Sequence, residues 1–265
     1  GEKEKERDET GKMRNKKSKM CITARSLSLL LALLQLVLAT HLAEAHNNGC
    51  AMYGQNFAGQ PVVANGAAPK KLTSDKSLQE LQGVCPSLYS HFGGKDGEYC
   101  CDSSQITVLQ TKLELLHQVV LGCPACDHNF KHLWCWMTCA PYQHEFLNVT
   151  GSKKAIGSNE RVVESLDYFV APTFGESIWN ACKEVKVSSM NVKAMDTLCK
   201  TDDCKGWHMM LEKQGEKFPL LNPITINFPL NSTASVVPAG VTPQNDSLPT
   251  CYDASFGCSC GDCPQ

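Results

Sequence analysis

Fifteen of the chain's 16 cysteines fall between Cys50 and Cys263, and no other feature narrows its possible folds so sharply. They come as Cys100-Cys101, Cys123-Pro-Ala-Cys126, Cys135-Trp-Met-Thr-Cys139 and Cys258-Ser-Cys-Gly-Asp-Cys263, with the rest spread between. At that density, behind a secretory leader, cysteines serve as cross-links in an oxidising compartment. An odd number leaves one thiol free, joined to another chain, or short of a partner beyond Gln265.

The leader is read from the first 45 residues. Residues 1–12 are charged, without apolar periodicity, and are set aside as an upstream extension before Met13 or Met20. A basic run (Arg14, Lys16, Lys17, Lys19, Arg25) precedes an apolar run from about Leu27 to Ala39, and Ala43-Glu44-Ala45 supplies small residues for cleavage. This predicts a signal peptide over 13–45, removed after Ala45 together with Cys21. The apolar run falls short of the ~20 residues a spanning helix needs.

Residues 46–265 carry 16 Lys+Arg against 21 Asp+Glu and no basic stripe, which argues against nucleic acid as a partner. No second apolar run approaches membrane-spanning length, so the mature piece reads as soluble and as one domain large enough to house a ligand. Asn148-Val-Thr, Asn231-Ser-Thr and Asn245-Asp-Ser are N-glycosylation sequons.

Periodicity predicts the elements. Residues 50–90 read as loop plus one short helix near 75–83. Asp102-Ser-Ser-Gln105 is a capping-box pattern, and Ile106, Leu109, Leu113, Leu116 and Val120 continue it as a helix over 103–121, ended by Gly122 and Pro124. A second helix starts near Asp127 and turns Phe130, Leu133, Trp134 and Met137 inward. A third is predicted over 159–170 from Val162, Val163, Leu166 and Phe169. A fourth opens at a further capping box, Thr173-x-x-Glu176, and buries Phe174, Ile178, Trp179 and Cys182. Shorter helices are expected at 191–199 and 204–213. Ile224, Ile226 and Phe228 alternate as a strand ended by Pro229. The whole reads as an α+β domain.

Catalytic patterns are missing. Cys123-Pro-Ala-Cys126 lacks the sparse-cysteine βαβ setting of a redox dithiol. His128 and His132 are spaced like zinc-protease ligands, but Asn129 stands where the glutamate base belongs, so they read as two solvated surface histidines. No Gly-x-Ser-x-Gly elbow, phosphate loop or dinucleotide fingerprint occurs. Motifs favour binding over catalysis, and no cofactor is implied.

Cys100-Cys101-Asp102, Gln105, Cys123-Pro-x-Cys126, Cys135-x-x-x-Cys139 and Phe146-Leu-Asn-Val-Thr150 together resemble the lumenal N-terminal domain of the Niemann–Pick C1 family of late-endosomal and lysosomal cholesterol transporters. The likeness runs from Cys50 to Cys263. It implies a mainly helical, disulfide-rich domain with a small mixed sheet and a deep apolar pocket. That domain takes cholesterol or a related sterol from a soluble Niemann–Pick C2-like carrier and passes it toward a membrane region beyond Gln265. It also implies the pairs Cys50–Cys100, Cys85–Cys135, Cys101–Cys139, Cys123–Cys258, Cys126–Cys182, Cys199–Cys204 and Cys251–Cys263, with Cys260 left over. One family bridge is missing, near Asn56 and at Gly66.

The resemblance places the sterol hydroxyl on Asn65 and Gln105. Pocket and rim positions fall at Met52, Gln55, Val108, Leu109 and Trp134, and an entrance lip at Leu198 and Phe218, Pro219, Leu220 and Leu221. Met52, Gln55 and Val108 stand where the family has tryptophan, glutamate and threonine, and Phe218-Pro-Leu-Leu replaces Pro-Phe-x-Ile. Each residue also has a plainer reading. Gln105 completes the capping box, Asn65 before Gly66 is a turn residue, and Trp134 suits a helix core. The competing class is a secreted cysteine-rich interaction module, such as a receptor ectodomain, without a lipid site.

Denatured mature protein is expected to show one titratable thiol, located at Cys260 by peptide mapping. Two or more free thiols at other positions contradict the framework.

Overall fold

The computed structural model describes residues 49–187, 190–218, 222–230, 235–258 and 263. The leader, Pro219, Leu220, Leu221, Asn231 and Cys260 lie outside the described residues. Seven α-helices occur among them: α1 (Asp75–Val84), α2 (Pro86–His91), α3 (Ser103–Val120), α4 (Pro124–Cys139), α5 (Pro172–Cys182), α6 (Ala194–Cys199) and α7 (Trp207–Gly215). The strands are β1 (Cys50–Gln55), β2 (Pro61–Ala67), β3 (Lys70–Lys71), β4 (Glu98–Tyr99), β5 (Leu147–Lys154), β6 (Arg161–Tyr168) and β7 (Thr225–Asn227). None of the described helices is long and apolar enough to cross a membrane. The result is a disulfide-rich α+β domain.

Helix α3 forms where its cap and stripe demand. Asp102 Oδ1 accepts from the Gln105 backbone N–H at 3.0 Å, and Gln105 Oε1 accepts from the Asp102 N–H at 3.2 Å, a closed capping box. Ile106, Leu109, Leu113, Leu116 and Val120 are all buried. Helix α4 starts at Pro124, whose missing N–H costs nothing in a first turn. Its buried residues include Phe130, Leu133 and Trp136, so it runs through the interior. Disulfides fasten it on several sides: Cys85–Cys135, Cys101–Cys139 and Cys126–Cys182 join it to the end of α1, the approach to α3 and the end of α5. Cys123–Cys258, just before α4, ties down the C-terminal segment, which Cys251–Cys263 closes on itself. Cys50–Cys100 holds β1, and Cys199–Cys204 closes the end of α6. Cys123 and Cys126 thus pair outward, not with each other.

The sheet runs β1-β2-β6-β5, with β7 added parallel to β6. β3 and β4 form a separate two-stranded ribbon. Two sequence expectations fail here. The predicted helix over 159–170 is instead strand β6 (Arg161–Tyr168), paired with β5 from Leu147↔Tyr168 to Lys154↔Arg161 across a turn at Gly157. β6 is covered over much of both faces, so its apolar positions lose the two-residue alternation and imitate a helix. Residues 50–67 are an antiparallel pair whose register breaks near Met52, which hides the alternation and makes them look like loop.

Two smaller readings also change. Thr173 does not cap α5; its hydroxyl donates to Asn245 Oδ1 at 2.6 Å, and the helix starts on Pro172 after Ala171. His132 is buried, not solvated, stacked on Trp136 with ring centroids 3.6 Å apart and its Nε2 3.0 Å from Asp246 Oδ2. Burial pushes the Asp246 carboxyl up, yet the hydrogen bond and charge of His132 outweigh it and hold the carboxyl below its ordinary value. With Asn129 Nδ2 donating to the Pro249 carbonyl at 3.0 Å, this pair straps residues 244–250 to α4.

At the end of α7, a Cβ on Gly215 would lie 2.1 Å from the Ile226 carbonyl oxygen of β7. Gly215→Ala is expected to destabilise the fold by about 1–3 kcal/mol in denaturant unfolding. Gly83→Ala in α1, where nothing lies within 4 Å, should instead stabilise it by about 0.5–1 kcal/mol. Equal effects at the two sites would contradict the close packing of α7 on β7.

Candidate functional site

One face of α3 shows the site. Gln105, Val108, Leu109, Lys112, Leu116 and Val119 recur every three or four residues, so their side chains share a side of the helix. All six line a cavity of about 410 Å³, within the range that holds small-molecule ligands. β1 contributes Met52 and Gln55, α4 contributes Trp134, Met137 and Thr138, and α6 contributes Leu198. Phe218 and β7 Ile226 complete the far side. The lining is chiefly apolar.

Gln105 is 5% exposed and works in two directions. Its Oε1 accepts from the backbone N–H of Gly54 at 2.6 Å and from that of Asp102 at 3.2 Å. Two N–H donors require an oxygen opposite them, which fixes the amide's orientation. Its Nε2 has no protein partner among the described residues. The cap therefore uses only the oxygen, and one amide donor is left over at the cavity wall. The close approach of β1 depends on Gly54, which has φ +74 and whose added Cβ would sit 3.2 Å from Asp102 Oδ2.

The structure brings Met52, Gln55, Gln105, Val108, Leu109 and Trp134 around this one cavity. Trp134 is wall, only partly buried, and packs against the core behind it. Asn65 does not belong with them. It is exposed and holds φ +51 ahead of Gly66 at φ +76, in the stretch of β2 where the register with β1 shifts. Asparagine tolerates that left-handed backbone better than most residues. The expected lip divides. Leu198 is 9% exposed and forms wall, whereas Phe218 is 49% exposed at the rim, with Lys200 Nζ 5.7 Å from its ring centroid.

Several lining residues were not anticipated. Thr138 is buried beside Cys139, whose bond to Cys101 draws the end of α4 to the start of α3. Lys112 lies on the Gln105 stripe and was legible from helical spacing alone. Burial lowers its ammonium pKa. At the rim Lys213 pairs with Glu216 at 2.5 Å, and that hydrogen bond holds the Glu216 carboxyl below its ordinary value.

Among the described residues, the sulfurs of Cys123, Cys251 and Cys258 lie within 4.8 Å of one another, but each belongs to a disulfide and offers no thiolate to a metal. Asn148 and Asn245 of the sequons are exposed.

The family model described as Niemann-Pick C1 N terminus matches residues 47–265. The chain is 31% identical over 209 residues, 74% of its length, to the pig protein named NPC intracellular cholesterol transporter 1. It is 30% identical over 203 residues, 73% of its length, to the human NPC1-like intracellular cholesterol transporter 1. A Drosophila melanogaster protein, NPC intracellular cholesterol transporter 1 homolog 1b, is 26% identical over 90% of the chain. The matched region makes up 15%, 14% and 20% of those three relatives.

Proposed function

The chain belongs to the Niemann–Pick C1 N-terminal family, and from that membership we propose that it is a sterol carrier whose cavity takes cholesterol or a related sterol. The observation that carries the reading is a largely apolar cavity of about 410 Å³ with the amide nitrogen of Gln105 at its wall, claimed by no protein partner among the described residues. A sterol is an apolar body with a single hydroxyl. Burying roughly 400 Å² of it contributes on the order of 10 kcal/mol at ~25 cal/mol per Å². Leaving the hydroxyl unpaired would cost about 1–3 kcal/mol. Gln105 Nε2 meets that hydroxyl without placing a charge in the cavity. No bond is made or broken, and the protein acts by holding its ligand.

In this reading the domain works in the late-endosomal or lysosomal lumen as part of a longer membrane protein. It receives sterol from a soluble Niemann–Pick C2-like carrier and releases it toward the membrane region. Phe218, half-exposed at the rim, suits that exchange, since an apolar ring in water gains only by meeting a partner. Leu198 serves the cavity and not the docking surface.

Sterol titration of the purified protein tests the reading. Gln105→Ala and Gln105→Glu should each weaken cholesterol binding by about 1–3 kcal/mol, because each removes the donor. Only the alanine variant should also lose ~0.5–2 kcal/mol of capping stability, since glutamate keeps the oxygen that a capping box uses. A sterol epimerised at the hydroxyl should bind the parent poorly and lose little more in either variant. Unchanged affinity in both variants would leave Gln105 as a cap alone.

Phe218→Ser should slow sterol exchange with the soluble carrier far more than it weakens equilibrium binding. Stopped-flow transfer and titration on the same preparation give the ratio; equal losses in both would make Phe218 wall, not docking surface.

A further inference from the structure

The cavity wall also holds a cationic side chain that a plain sterol does not use. Lys112 stands on the same face of α3 as Gln105, seven residues on, which at 1.5 Å per residue is ~10 Å farther along the helix. It is partly buried among Leu109, Leu113 and Leu116, and no carboxylate pairs with it among the described residues. Lys200 and Lys213 line the same cavity, but both turn to Glu216, at 4.0 and 2.5 Å. The lining thus sets three ammonium groups against one carboxylate, in a chain whose net charge is −2. This local excess of positive charge runs against the balance of the whole molecule.

A lysine beside apolar surface commonly lays its stem along it and sends its head to water. Lys112 achieves this only in part, for its surroundings disfavour the charged form. A ligand carboxylate would relieve that cost, and a charge-assisted hydrogen bond is roughly twice as strong as a neutral one. A neutral hydrocarbon tail would cover the ammonium and leave it unpaired.

We propose that the cavity also takes acidic sterols, with the ring hydroxyl at Gln105 and a side-chain carboxylate held by Lys112. The inference rests on the sterol-carrier reading and adds a ligand class to it: amphiphiles hydroxylated at one end and anionic at the other.

Competition binding on the purified protein tests it with three probes: cholesterol, a cholesterol analogue whose side chain ends in a carboxylate, and the methyl ester of that acid. The parent should prefer the acid over its ester by roughly tenfold or more. Lys112→Met should abolish or invert that preference, and Lys112→Arg should retain it. An acid that binds no better than its ester in the parent, or a preference that survives Lys112→Met, overturns the proposal. If cholesterol binds while the acid gains nothing over its ester, the acidic-ligand inference alone falls. If none of the three binds, the carrier reading falls with it.

Discussion

The covalent bracing of α4 is the constraint on which the rest of the molecule depends. Cys123, Cys126, Cys135 and Cys139 lie on or beside one helix and bind it to four separate stretches, across sequence separations of 135, 56, 50 and 38. Each such link restricts the unfolded chain and stabilises the fold, typically by ~2–4 kcal/mol, more for longer loops. The helix they hold has different neighbours on its different sides. Trp134, Met137 and Thr138 line the cavity, Asn129 and His132 hold the C-terminal strap, and Phe130 and Leu133 fill the core between. A shift of α4 would therefore disturb cavity, core and strap at once.

Part of this was legible in the residues. Helix α3 was readable because its cap, its stripe and its stop signals agree, and agreement across levels is what makes a segment unambiguous. β7 was readable because Ile224, Ile226 and Phe228 alternate. β6 was not. Val162-Val163 and Leu166 fit a helical spacing as well as a strand covered on both sides, and only pairing with β5 decides between them. β1 and β2 were hidden by broken register and by left-handed residues at Gly54, Asn65 and Gly66. His132 was read as surface because the partner that holds it inside, Asp246, is 114 residues away.

The cavity was legible along helices and less so between them. The stripe on α3 follows from spacing, and Lys112 could have been included by the same rule. Thr138 and Ile226 face the cavity only because a disulfide and a parallel strand bring distant segments together, and no local pattern encodes that. Asn65 lies apart from that stripe, exposed on β2 at a left-handed backbone position that no helical spacing marks. Gln105 closes the cap with its oxygen alone and leaves its amide nitrogen free of the backbone, because an amide has two ends and the cap needs only one.

The distribution of cross-links makes the cavity mechanically lopsided. The walls from β1, α3 and α4 belong to a covalently triangulated frame. On the opposite side Cys199–Cys204 spans a separation of only five residues within that side. Among the described residues no disulfide joins α6, α7 or β7 to the frame, and α7 rides on β7 through backbone contact at Gly215. Compliance is thus concentrated in one wall. By this distribution of cross-links, the cavity has most room to give toward α6 and α7, while the Gln105 oxygen is held by the N–H groups of Gly54 and Asp102 on the braced side. A site built this way is strict about the direction of one polar group and tolerant of the outline of the apolar body behind it.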